Sequence, residues 1–247
     1  MRSGGIFSTN DDMKTELQHS TIGQSGQSIP PEAKPLLSAV PSTVVYLEDC
    51  VKALKRFDDN YFDVAIVDPP YGIGEADGRC RTRKKHNNRV RHEKKDWDNQ
   101  RPSAEYWEQL FRVSKNQIVW GANYFTEFLP ISMGWIFWDK KIGGDFSDGE
   151  LAFTSFNRAL KMVTKWSGNN GVPRIHPTQK PIELYDWIIQ NYCEEANLIL
   201  DTHVGSGSSR IAAEKAGKRF IGFEIDPEYY EKQEKRFKDF VSQLRMF

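Results

Sequence analysis

A strand that runs into a glycine-rich turn, a helix and a second strand leaves a chain few architectures to adopt. Leu198-Ile199-Leu200 is a short, wholly apolar run that reads as a buried strand. It passes into Asp201-Thr202-His203-Val204-Gly205-Ser206-Gly207-Ser208, after which Ile211-Ala212-Ala213-Glu214-Lys215-Ala216 reads as a helix. The next strand, Arg219-Phe220-Ile221-Gly222-Phe223, ends in Glu224. Glycines in such a turn let a ligand approach the backbone and meet the free N–H groups at the helix start. An acidic side chain about twenty residues after the turn, at the next strand's end, is placed to bind a ribose diol.

The same alternation runs through the rest of the chain. Strands are predicted at 43–47, 62–67, 117–120, 134–138 and 151–155, besides 198–200 and 219–223. Helices are predicted at 50–57, 104–113, 181–193, 208–216 and 227–244. Pro181 and Pro227 suit first-turn positions, and Asp226 suits an N-cap. Tyr230, Phe237 and Leu244 recur at helical spacing and read as a core stripe. Strands alternating with helices argue for an α/β fold with a mostly parallel sheet. Ligands then lie beyond the strands' carboxyl ends, where Asp201 falls.

Asp68 falls there too. It opens Asp68-Pro69-Pro70-Tyr71, directly after the apolar run Val64-Ala65-Ile66-Val67. Each proline fixes φ and lacks an N–H, so the turn is stiff and its carbonyls are free to accept hydrogen bonds. The carboxylate is a second acceptor, and the tyrosine ring offers a stacking face. An exocyclic NH2 has two hydrogens to place and a base has a π-face, so these parts suit nucleobase chemistry. Taken alone, four such residues are equally an ordinary turn.

Together these segments resemble the β class of S-adenosylmethionine-dependent DNA amino-methyltransferases, in which the D-P-P-Y segment precedes the glycine-rich one. Leu47-Glu48-Asp49-Cys50 is similar to the family's acidic segment at the cofactor's adenine. His176-Pro177-Thr178-Gln179-Lys180-Pro181 is similar to the segment before the helix that closes over the methionine moiety. The resemblance covers most of residues 43–240. It implies a circularly permuted, Rossmann-like methyltransferase fold with a seven-stranded sheet, and S-adenosyl-L-methionine as cofactor. Asp68, Pro69, Pro70 and Tyr71 would be catalytic. Asp49, Cys50, Thr178, Lys180, Asp201, His203, Gly205, Ser206, Gly207 and Glu224 would bind the cofactor. Thr202 and His203 stand where the family usually has Pro and Phe. Only a short segment, 140–174, is left for target recognition.

The implied reaction moves a methyl group to the N6 amino group of adenine in a flipped-out base. Cytosine N4 is the alternative; Ser at position 68 is more typical of those enzymes, so Asp68 favours adenine. A degenerate domain that binds DNA or cofactor without turnover is a second alternative. An Asn before Pro-Pro-Tyr would suggest a protein glutamine methyltransferase, and this chain has Asp68. DNA is the implied partner; a homodimer and a cognate restriction endonuclease are further partners the resemblance allows.

Composition narrows the class. The 247 residues are 38% hydrophobic and include seven tryptophans, enough for a sizeable core. Cys50, Cys80 and Cys193 form no C-x-x-C pair, so neither a disulfide framework nor a metal site is expected. No stretch approaches a membrane span and no signal peptide is evident, so a soluble cytoplasmic protein is expected. Residues 1–40 are rich in Ser, Gly, Gln and Pro and read as a flexible tail before a single domain over 41–247. Net charge is zero, but it is unevenly spread. Arg79, Arg81, Arg83, Lys84, Lys85, Arg89, Arg91, Lys94 and Lys95 crowd one segment with a single acid, Glu93, so the remainder carries an excess of eight negative charges. Beside the catalytic turn, that segment is a candidate for DNA backbone contacts. A solvated charged loop would look the same in sequence.

Overall fold

Strand and helix alternate from Thr43 onward in the computed structural model, which describes residues 42–73, 100–142, 147–165 and 174–244. The first half contains β1 (Thr43–Leu47), α1 (Cys50–Leu54), β2 (Phe62–Val67), α2 (Ala104–Val113) and β3 (Ser114–Trp120), then a 3-10 turn at Ala122–Tyr124. The second half contains β4 (Trp135–Asp139), β5 (Gly149–Thr154), β6 (Lys161–Thr164), α3 (Ile182–Tyr192), β7 (Leu198–Asp201), α4 (Ser208–Lys215), β8 (Arg219–Glu224) and α5 (Pro227–Leu244).

The strands form one sheet in the order β1-β8-β7-β2-β3-β5-β4-β6. Pairing is parallel throughout except where β5 meets β3 and β4, so β5 alone runs against the rest. Both faces are covered, which is why the central strands read as continuous apolar runs. Along β2, Val64 and Ile66 point into one core with Ile118, Trp120, Leu184 and Ile188. Ala65 and Val67 point into the other with Tyr106, Trp107, Leu110 and Phe223. Side chains alternating between faces produce this two-layer core.

Helix starts follow local chemistry. Ser103 accepts from the Tyr106 N–H at 3.3 Å and caps α2. Asp49 accepts from the Lys52 N–H at 2.9 Å and caps α1. Asp226 accepts from the N–H groups of Glu228 and Tyr229 at the start of α5. A cap of this kind contributes about 1 kcal/mol.

Three expectations need correction. The sheet has eight strands, not seven. The extra one, β6, is an edge strand in which Val163 alone is buried, too little apolar signal for a sequence reading. Helix α1 stops at Leu54 because Arg56 and Phe57 bond back three residues, to Ala53 and Leu54, instead of four. On α5 the fully buried positions are Tyr229 and Gln233; of the expected stripe, Tyr230 packs against the core while half-buried, and Phe237 lies half-buried under the Arg210 guanidinium. The side chain of Leu244 falls outside the described residues, as do residues 1–40. Within the 140–174 segment, β5 stands where a strand is expected at 151–155, and β6 is added.

The strand order places the site. From β2 the chain moves through α2 to β3 on one side, whereas β7 and β8 lie on the other. The sheet's direction of growth reverses between β2 and β7, and at such a reversal the carboxyl ends open a crevice. Asp68 follows β2 and Asp201 ends β7, one on each lip.

Candidate active site

Beyond β2 the chain stiffens at two prolines and delivers Asp68 and Tyr71 to the crevice. Asp68 Oδ1 accepts from the Tyr71 hydroxyl at 2.7 Å, and Oδ2 accepts from Lys180 Nζ at 2.5 Å. Burial pushes the Asp68 carboxyl above its ordinary value, with Lys180 pulling the other way and Glu150 adding to the rise. Pro69 is buried and Pro70 half-buried. The Tyr71 ring stacks on Tyr124, with centroids 4.9 Å apart and planes 15° from parallel. Gly121 makes room for that ring: it sits at φ +63°, and a Cβ there would come within 2.1 Å of Tyr71 Cε1.

The glycine-rich turn after β7 is held from both ends. Asp201 Oδ1 accepts from the His203 N–H at 2.9 Å, and Oδ2 accepts from the Ser209 hydroxyl at 2.5 Å. Burial raises its carboxyl to about 7. Across the turn, Glu224 Oε2 accepts from the Gly205 N–H at 2.8 Å and Oε1 from the Asp226 N–H at 2.9 Å. Gly205 and Gly207 adopt φ of +52° and +74°, where a side chain would be strained. Thr202 Oγ1 lies 2.8 Å from the Tyr106 hydroxyl and 2.9 Å from His203 Nδ1. Burial lowers His203 to about 4, so its ring is neutral at physiological pH. Cys50 Sγ is 4.0 Å from His203 Nε2, and burial pushes that thiol up to about 12.

Two cavities open at this end of the sheet. The smaller, about 340 Å³, is lined by Asp49, Cys50, His203, Gly205, Ser206 and Glu224, and also by Asp68, Pro70, Thr178 and Lys180. The larger, about 800 Å³, is lined by Tyr71, Gly121, Tyr124, Trp138, Glu150 and Arg174 among others. Thr178, Gln179 and Lys180 line both. The smaller cavity offers carboxylates for hydroxyl and amino donors, a neutral imidazole face and the side-chain-free backbone of Gly205. That donor set fits a nucleoside-bearing cofactor.

Most residues singled out in the sequence therefore converge, with exceptions. Asp201 and Gly207 do not line the smaller cavity: Asp201 spends both oxygens on the turn, and Gly207 faces Gln233 of α5. The ammonium of Lys180, expected at the cofactor, is bound by Asp68. The basic residues between Arg79 and Lys95 lie outside the described residues. Sequence reasoning missed Glu150, Tyr106, Gly121 and Tyr124. Tyr106 reads as one more apolar position of α2, and no local pattern marks the others. No group of three metal-ligating side chains is found among the described residues, and none of their helices is long and apolar enough to cross a membrane.

Comparison with known proteins supplies the family and the fold. The family model N6_N4_Mtase, DNA methylase, matches residues 84–235. The chain belongs to this DNA methylase family. Among curated relatives, the type II methyltransferase M2.DpnII of Streptococcus pneumoniae is 26% identical over 248 residues, covering 76% of this chain and 87% of that protein. M2.MboI of Moraxella bovis is 24% identical over 258 residues, covering 81% and 89%. Among solved structures, the M1.HpyAVI–SAM complex superposes with a TM-score of 0.51 at 19% identity, covering 78% of this chain and 99% of that one. The cytosine-N4-specific PvuII DNA methyltransferase superposes at 0.50 with 13% identity, covering 81% and 92%. At these identities the structural likeness concerns the fold.

Proposed function

We propose that this DNA methylase transfers a methyl group from S-adenosyl-L-methionine to the N6 amino group of an adenine flipped out of its duplex. The observation that carries the reading is Asp68, a carboxylate that lines the smaller cavity and accepts from the hydroxyl of Tyr71, which walls the larger one. The cofactor, when bound, supplies an electrophilic methyl group. Asp49, Cys50, His203, Gly205, Ser206 and Glu224 would hold it in the smaller cavity. The target base would enter the larger one.

An aromatic amine is a poor nucleophile because its lone pair is delocalised into the ring. Asp68 and the Pro69 carbonyl would each accept one amino hydrogen, drawing the nitrogen toward tetrahedral geometry. Tyr71 would hold the base by its ring, and alignment would supply most of the rate. A base stacked inside a duplex cannot reach a carboxylate this deep, so flipping is required. Asp68 in place of Ser supports adenine over cytosine. With DNA as substrate, the cytoplasm is the compartment of action.

Nucleoside mass spectrometry of DNA incubated with the protein and S-adenosylmethionine tests the reading. N6-methyladenine is expected, and Asp68→Ala abolishes it while cofactor affinity stays within a few-fold. N4-methylcytosine as the product would overturn the assignment.

A further inference from the structure

Lys180 is the cationic side chain that both cavities share. Its side chain is only 4% exposed, and its ammonium lies 2.5 Å from Asp68 Oδ2 and 3.2 Å from Glu150 Oε2. Glu150 is also held by Lys140 at 2.5 Å. Around the ammonium stand the rings of Trp120 and Tyr71, at 5.5 and 6.0 Å. Lys180 is therefore divided between two carboxylates: Glu150 has a second cation, Lys140, whereas among the described residues Asp68 has only Lys180. Nothing in cofactor binding requires that arrangement. A base amine approaching Asp68 would meet it directly.

We propose that Lys180 and Glu150 are opposed positioning residues for methylation: Lys180 keeps Asp68 an anion with Oδ2 pinned, and Glu150 shares the ammonium so that Asp68 stays basic enough to take the proton the amine sheds. The proposal rests on the methylation reading above. In that reaction the nitrogen lone pair forms the new N–C bond, and the electrons of the broken C–S bond stay on sulfur. The nitrogen, now positive, releases one proton to Asp68, which passes it to water.

The electrostatics act in this sense. Burial drives the Asp68 carboxyl upward, and Lys180 is the charge opposing it. Glu150 adds to the rise, while Glu150 itself is held below its ordinary value by Lys180 and Lys140. The other titratable groups facing Asp68 among the described residues are Tyr71 from its own turn, Tyr106 from α2, Tyr185 from α3 and Asp201 from β7. Tyr71 donates a hydrogen bond to the anion, and none of these four supplies a positive charge. Removing Lys180 leaves burial and Glu150 with no positive charge against them, only the Tyr71 hydrogen bond. Removing the charge of Glu150 leaves all of Lys180 to Asp68. The two substitutions should move the same group in opposite directions.

Single-turnover methyl transfer as a function of pH reads this in Lys180→Met, Lys180→Arg and Glu150→Gln. In Lys180→Met the acid limb moves to higher pH and the neutral-pH rate falls by about 100-fold or more, as for a lost positioned base. Lys180→Arg keeps the limb near its native place. In Glu150→Gln the limb moves to lower pH. Limbs that coincide, or that move together, overturn the proposal. Carbon-13 titration of the Asp68 carboxyl in the free proteins supplies a readout that needs no turnover. The midpoint should be highest in Lys180→Met and lowest in Glu150→Gln, and any other order overturns the proposal. Absence of methyl transfer by the native protein, with that order intact, defeats the methylation reading and leaves the charge arrangement standing.

Discussion

Asp201 ends β7 with both carboxylate oxygens bonded to its own turn and almost no exposure. Its carboxyl is raised to about 7 from an ordinary value near 4. A raised acid binds more protons folded than unfolded, so its contribution is full below about pH 4 and is lost as pH climbs toward 7. Asn at the same place does not titrate and keeps the shape. Denaturant unfolding should show the native protein losing stability relative to Asp201→Asn across that window, at up to roughly 1.4 kcal/mol per pH unit. A difference that stays flat with pH would show that the carboxyl is not perturbed. Glu224 has a double task by geometry, because the carboxylate aimed into the smaller cavity also ties Gly205 to Asp226. Losing a charge-assisted bond costs about 1.5–3 kcal/mol. Glu224→Ala should therefore weaken S-adenosylmethionine binding roughly ten- to a hundredfold by calorimetry, and an unchanged Kd would remove it from the cofactor site.

The element that sets one wall of the larger cavity is the turn after β3. Gly121 caps the 3-10 turn in the left-handed region, and its missing Cβ is the space the Tyr71 ring occupies. Gly121→Ala meets two penalties at once: roughly 1–2 kcal/mol for the left-handed backbone, and displacement of Tyr71 from its stack on Tyr124. Because Tyr71 lines the larger cavity and not the smaller, methyl transfer should fall at least about tenfold while cofactor affinity is kept. Equal loss of both would mean the two cavities are not separable. This turn also shows where sequence reading stops. Strands buried on both faces announce themselves as apolar runs, as 64–67 and 198–200 do, and the turns after them are legible through Pro, Gly and Asp. Gly121, Tyr124 and Glu150 carry no such local pattern; their roles come from which strands become neighbours. Lys180 stands out in its motif, but its neighbour does not. The motif lines both cavities, and only the fold brings the ammonium to Asp68, 112 positions away.

At the scale of the molecule, the sheet gathers the chemistry at one end, and the sequence gathers positive charge immediately after it. Between Tyr71 and β3 the chain carries nine basic residues from Arg79 to Lys95 against one acid, although net charge is zero. A neutral protein has no long-range attraction for DNA, so affinity must come from a local concentration of cations. The segment has few aromatics among its cations, which suits phosphate contacts more than stacking on bases. Replacing Arg81, Arg83, Lys84 and Lys85 with Ala should thus weaken DNA binding about equally across sequences and leave cofactor affinity untouched. It should also flatten the dependence of log K on log salt by up to about 0.9 for each duplex phosphate that the protein no longer neutralises. Affinity measured over a salt series for both proteins decides the matter, since coincident slopes would place the DNA surface elsewhere on the molecule.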